Sequence, residues 1–309
     1  MNQEIPLVSV VMLVYNHDST LEKSLRSVLN QDVDFPCELI ISNDCSTDRS
    51  KEKIVESLEK YTNENFNVRV FHQDKNIGLG RNWKFCNDQS KGHYIAVCEG
   101  DDYWIDDHKL KKQKDILDKD KEIGIVCGAH KIIAENGDIL EGRKSNIKEG
   151  YYDLEDIQKR NFISTCTTMF RNNILQFDEK MFDQVLQDFI SWNVILSKEY
   201  RLYYINKKIA VQHVLLEGSY STKYRYEKMQ YYISALDYLI KRKGIRNKRF
   251  LKKTVVSTSL KLGVKFSELS KSDLSRQYLI KAISSYSPFH SIRSKVLALY
   301  YLMNSQFSV

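Results

Sequence analysis

The chain has 309 residues, 42% apolar and 28% charged, with a formal net charge of +7. That length suffices for one large core with an appendage, and only 3 prolines and 12 glycines speak against a linker-rich, collagen-like or disordered polymer. No run approaches the ~20 apolar residues of a membrane-spanning helix, and six cysteines without a C-x-x-C pair read as reduced thiols rather than a disulfide frame or zinc site.

The opening residues place Glu4 and Pro6 ahead of a short apolar run, a poor signal peptide, so a cytoplasmic protein is expected. LVSVVMLV (7–14) is continuous and β-branched, as suits a strand covered on both faces. STLEKSLRSVLNQ (19–31) follows, with Leu21, Leu25, Val28 and Leu29 on one helical face and Ser19 and Glu22 at capping-box spacing. The cycle repeats. ELIIS (38–42) leads into a helix with Ile54, Val55 and Leu58 on its apolar side, and VRVFH (68–72) into a helix near 79–90. YIAVC (94–98) leads into HKLKKQKDILDK (108–119). Strands alternating with helices predict an α/β fold with a mostly parallel sheet. IGIVCG (123–128) reads as another strand, 150–170 as turns around TCTTMF, and 187–213 as a helix followed by strand-like segments. From about Tyr220 the pattern is helical and basic, which predicts a division into residues 1–218 and 219–309.

In parallel sheets ligands bind beyond the carboxyl ends of the strands. Three polar clusters fall there: YNHD (15–18), NDCSTD (43–48) and EGDD (99–102). The last crowds Glu99, Asp101 and Asp102 at the mouth of the core, where like charges repel and desolvation is unfavourable without a cation. Hard oxygen ligands on a tight turn suit Mg²⁺ or Mn²⁺ carrying phosphate oxygens, and Gly100 lets the backbone turn closely. A P-loop and a G-x-G-x-x-G fingerprint are both missing from the sequence.

VSVVMLVYNHDSTLEKSLRSVLNQ, ELIISNDCSTDRS, NIGLGRNW and GHYIAVCEGDDYW occur in the order and spacing of the family 2 glycosyltransferases, which the chain resembles closely over about 7–120. The likeness continues more weakly through STCTTMFR (164–171), DFISW (188–192) and IAVQH (209–213). It implies the GT-A fold, a Rossmann-like nucleotide-diphospho-sugar transferase architecture, here with a C-terminal helical extension. It further implies inverting transfer from a nucleotide-diphosphate sugar, a UDP-sugar first, to a glycan or lipid-linked acceptor in surface or capsular polysaccharide synthesis. By position, Val14, Tyr15 and Asn16 lie along the nucleotide base, and Asp44 contacts uracil or ribose. Glu99, Asp101 and Asp102 form the D-x-D region, where Asp101 and Asp102 hold ribose and metal in a division left open. The resemblance further implies that His213 meets diphosphate or metal, that Asp188 takes the acceptor proton, and that Mn²⁺ or Mg²⁺ neutralises the leaving diphosphate. Arg81 is expected to meet phosphate, and Thr165, Thr167 and Trp104 are expected on the acceptor side.

Residues 219–309 hold 18 Lys and Arg against 4 Asp and Glu. KYRYEKMQYYISALDYLIKRKGIRNKRFLKK (223–253) interleaves aromatics and cations, which fits nucleic acid, an anionic membrane or a solvated face. SIRSKVLALYYLMN (291–304) is short, apolar and led by cations, which favours peripheral attachment to the inner membrane leaflet. Two rival functions are a sugar-phosphate nucleotidyltransferase, which needs a basic glycine-rich loop where VYNHDST stands, and a nucleic-acid-binding protein acting through the tail.

Overall fold

The computed structural model describes residues 5–134, 136–140, 147–214, 225–284 and 292–304. It divides into two compact units: Met1–Asp178 with Lys198–Glu217, and Glu179–Ser197 with Gly218–Val309.

The first unit is built on a ten-stranded mixed sheet. In chain order it contains β1 (Val8–Val14), α1 (Leu21–Leu29), β2 (Cys37–Asn43), α2 (Ser50–Lys60), β3 (Phe66–His72) and α3 (Leu79–Gln89). Then come β4 (Tyr94–Val97), β5 (Tyr103–Trp104), α4 (Lys109–Lys119), β6 (Ile123–Ala134), β7 (Ile139–Leu140) and β8 (Gly150–Tyr152). A short α5 (Leu154–Lys159), a 3-10 turn (Thr165–Thr167), β9 (Met169–Arg171) and β10 (Arg201–Val214) complete it. The strand order is β3-β2-β1-β4-β9-β6-β10-β5, with β7 on β6 and β8 on β10. The β3-β2-β1-β4 block is parallel, as is β6 with β10, and β9 joins the two blocks by antiparallel pairing on both sides. Every residue of β1 and β2 is buried, which explains their unbroken apolar runs.

Register sets up the site. Val14 pairs opposite Asn43, so β1 and β2 end level and their loops emerge side by side. β4 stops at Val97, opposite Val11, and leaves the last three positions of β1 free. The chain after β4 runs on beside those positions, with the Cys98 N–H donating to Val11 O at 3.1 Å and the Gly100 N–H to Leu13 O at 2.9 Å.

Two local expectations are corrected. α1 starts after Thr20 with no side-chain cap, so Ser19 and Glu22 form no capping box. The Glu22 carboxylate instead accepts from Lys60 Nζ at 2.6 Å and Tyr61 OH at 2.9 Å, because α2 ends beside it. Val55 is 54% exposed, leaving Ile54 and Leu58 to anchor α2 to the core.

The second unit is helical: α6 (Gln187–Leu196), α7 (Arg225–Lys241), α8 (Lys248–Glu268), α9 (Ser272–Ser284) and α10 (Ile292–Asn304). Leu251, Val255, Leu262 and Phe266 of α8 are buried. A Cβ on Gly263 would stand 2.6 Å from Leu279 Cγ, so glycine permits the close approach of α8 and α9. Ser275 Oγ donates across it to Gly263 O at 2.8 Å. The expected boundary at 218/219 lies within 215–224, outside the described residues, while the 179–197 segment groups with the basic helices rather than with the sheet.

Candidate active site

At the carboxyl ends of β1, β2 and β4 a cleft of about 300 Å³ opens, lined by Leu13, Val14, Tyr15, His17, Asp44, Asn76, Gly78, Leu79, Asn82, Glu99 and Asp101. This size matches small-molecule sites. Asn16 adopts a left-handed backbone (φ 57°), and its Oδ1 accepts from the Thr47 N–H at 2.8 Å while its own N–H donates to Ser46 Oγ at 3.0 Å. It therefore ties the β1 and β2 loops together. Asp44 is buried, and its two oxygens accept from the N–H groups of Ile77 (2.7 Å) and Gly78 (2.9 Å). Gly78 needs its positive φ of 83° to start α3 at that point.

The acidic turn is pinned from three sides. The Gly100 carbonyl accepts from Thr20 Oγ1 and Ser24 Oγ, both at 2.9 Å. A Cβ there would lie 2.6 Å from His17 Nδ1, so no larger residue fits unchanged. Asp101 stays part-exposed, its Oδ2 3.9 Å from His17 Nε2. Asp102 is buried, and its Oδ1 accepts the His213 N–H at 2.9 Å. Burial first, then repulsion from Asp101 and Glu99, pushes the Asp102 carboxyl well above its ordinary range, against the His213 N–H and the Cys166 thiol. Behind it, Trp104 is buried with Nε1 donating to Cys166 O at 2.8 Å, and Lys109 Nζ lies 4.0 Å from the Trp104 ring centroid. Desolvation pulls the fully buried Lys109 amine down to about 7, and Gln113 Oε1 accepts from it at 2.8 Å.

The structure thus gathers Val14, Tyr15, Asp44, Glu99 and Asp101 around one cleft, with Asp102 and His213 joined at its acidic end. Arg81 is exposed on α3 and is not among the cleft's lining residues. Trp104 and Thr167, expected on the acceptor side, are both buried, and Thr167 Oγ1 donates to Ser164 O at 2.7 Å. Thr165 remains half-buried in the same 3-10 turn. Asp188 stands in the first turn of α6, in the second unit, half-buried, with its carboxyl pushed up by desolvation against the Phe189 and Asp188 N–H groups. Sequence reasoning missed His17, Asn76, Leu79 and Asn82 as lining residues, although all four lie inside the YNHD and NIGLGRNW motifs.

Do these residues fit a divalent ion? Among the described residues, no three His, Cys, Asp or Glu side chains converge as a ready cage. Mg²⁺-type sites built on one or two carboxylates and substrate phosphates need no such cage. His213 Nδ1 lies 2.5 Å from the Asp101 carbonyl oxygen, which can only accept, so Nδ1 is the donor there and Nε2 is the ring nitrogen left for a ligand role. The Tyr103 ring, 5.4 Å from the imidazole, steadies it. Carboxylate oxygens with one oriented imidazole are a fitting donor set.

A model of the family described as "Glycosyl transferase family 2" matches residues 9–177. "Uncharacterized protein Rv1520" of Mycobacterium tuberculosis is 31% identical over 170 residues, covering 53% of this chain and 46% of the relative. The chain thus spans about half the length of that relative. "Putative teichuronic acid biosynthesis glycosyltransferase TuaG" of Bacillus subtilis is 26% identical over 228 residues, 74% of this chain and 87% of the relative. Among solved structures, S. aureus TarS 1–349 in complex with UDP-GlcNAc superposes with a TM-score of 0.67 at 18% identity, covering 96% of this chain and 87% of TarS 1–349, a likeness of fold.

Proposed function

This chain belongs to glycosyl transferase family 2, and on that premise we propose that it moves a sugar from a nucleotide-diphosphate donor, a UDP-sugar first, to a glycan or lipid-linked acceptor in cell-surface polysaccharide synthesis. The carrying observation is the cleft at the carboxyl ends of β1, β2 and β4, walled by Val14, Tyr15 and Asp44 and closed by Glu99 and Asp101. TuaG, by its name a teichuronic acid biosynthesis protein, and the UDP-GlcNAc bound to TarS support the substrate class.

Tyr15, 45% exposed on the cleft wall, offers its ring to the base. Asp44, its oxygens already holding the 77–78 amides, presents a fixed carboxylate edge to the base or ribose. Asp101, Asp102 and His213 Nε2 would hold Mn²⁺ or Mg²⁺, with Glu99 at the ribose side. When bound, the ion supplies positive charge for the departing diphosphate. Asp188 is the proposed base: a carboxylate raised above its ordinary range takes an acceptor hydroxyl proton more readily near neutral pH, as the hydroxyl attacks opposite the leaving group. The catalytic domain is proposed as 1–218 and the basic region as 219–309, working at the inner membrane face.

The test is thermal unfolding with UDP, GDP and UDP-sugars, with and without Mn²⁺. UDP compounds with Mn²⁺ are expected to raise the midpoint more than either component alone. No shift with any nucleotide sugar refutes the reading.

A further inference from the structure

Val296, Leu299, Tyr300 and Met303 recur at helical spacing along one side of α10 and are 58%, 47%, 60% and 65% exposed. Leu297 flanks them at 44%. The other side of α10 is already engaged. Ala298 is buried in a cluster with Leu279 and Ala282 of α9, and Tyr301 and Leu302 pack against it. A helix apolar on both sides has two partners, and the described residues supply one.

Charge identifies the second. Residues 274–309 hold no Asp or Glu but do hold Arg276, Arg293 and Lys295, beside Lys281, which pairs with Asp237. An apolar stripe within an acid-free, cationic segment matches an anionic lipid surface, which sets phosphates above acyl chains. Nucleic acid would match the cations but not the stripe. A neutral protein groove would match the stripe but not the cations. α10 has 13 residues, roughly 20 Å of helix, and no helix among the described residues is long and apolar enough to cross a membrane.

We propose that α10 lies in the plane of an anionic membrane surface, with Val296, Leu299 and Met303 directed at the acyl chains and Tyr300 at headgroup depth. The proposal deepens the function proposed above, on which it rests for a lipid-linked acceptor.

The test uses the full chain and flotation with phosphatidylcholine vesicles, with and without phosphatidylglycerol. The protein is expected to float with phosphatidylglycerol vesicles, less so as salt rises. The combined variant Val296→Gln, Leu299→Gln, Tyr300→Gln and Met303→Gln is expected to float roughly tenfold less or worse. All four side chains are exposed, so its unfolding midpoint and its stabilisation by UDP and Mn²⁺ should match the parent. Failure of the parent to float, or flotation of the variant at parental level, overturns the proposal. So does a lipid-free dimer, seen by light scattering, that the variant splits, since the stripe would then face a second copy of the chain. A parent that binds nucleotide but does not float strikes the membrane role alone, whereas a parent that floats but ignores every nucleotide strikes the transferase reading.

Discussion

Replacing Gly100 by alanine tests how tightly the acidic turn is built. The Gly100 backbone lies outside the left-handed region, so alanine adds no conformational strain and its effect is steric. The new Cβ would stand 2.6 Å from His17 Nδ1, 3.2 Å from Leu13 O and 3.2 Å from Val14 Cγ2. Leu13 O and Val14 need yield only a few tenths of an ångström, but the imidazole must withdraw by roughly 0.8 Å to reach ordinary contact. His17 Nδ1 is buried without a hydrogen-bond partner, so nothing at that edge resists the shift, while its backbone N–H stays on Ser50 Oγ at 2.8 Å. Overpacking of this kind costs about 1–2 kcal/mol, a fall in unfolding midpoint of roughly 2–8 °C. Because His17 also lines the cleft beside Asp101, UDP binding with Mn²⁺ should weaken by about tenfold in calorimetry. An alanine variant that binds and melts like the parent would show that the turn is not packed as described.

Asp102→Asn should act in opposite directions on stability and binding. The raised folded-state carboxyl means that Asp102 contributes stability below its unfolded pKa and loses it as pH rises through the folded value. Asparagine removes that loss while its Oδ1 still accepts the His213 N–H, so the ligand-free variant should melt higher than the parent at alkaline pH. Its stabilisation by Mn²⁺ with UDP should largely vanish, at least roughly tenfold in affinity. Asp188→Asn should keep metal–nucleotide binding and lower turnover by about 10²–10⁴, and in the parent the acid limb of the rate profile should lie above the ordinary carboxylate range. Gly78→Ala is the counterpart of Gly100→Ala: its Cβ meets open space, yet φ of 83° strains it, so about 1 kcal/mol is expected by chemical denaturation.

Most of the parallel block was legible because buried strands print as continuous apolar runs and the helices between them keep a 3.6-residue stripe. The antiparallel insertion of β9 was not: MFR is three residues long, and nothing in so short a run says which strands flank it. The capping box failed because spacing alone does not reveal that Lys60 and Tyr61 compete for Glu22. Motifs located the cleft. They could not separate residues facing it from residues supporting it, since that depends on which side of a turn each Cβ takes. Trp104 is buried in the wall of the core, whereas His17, which the sequence reading did not single out, lines the cleft. The charge asymmetry marked the second unit, but that α6 belongs with it requires tertiary packing to see.

The bond from His213 to Asp102 spans 111 positions of sequence. Its loop-closure entropy is met only when the last strand docks, so the acidic end matures late in folding, after the β3-β2-β1-β4 block has formed from nearer neighbours. A nascent chain halted before β10 would carry the cleft wall of β1, β2 and β4 yet lack the imidazole, so on the proposed function donor affinity would arrive as a step once β10 is made, roughly two-thirds of the way along the 309 residues, rather than growing with length.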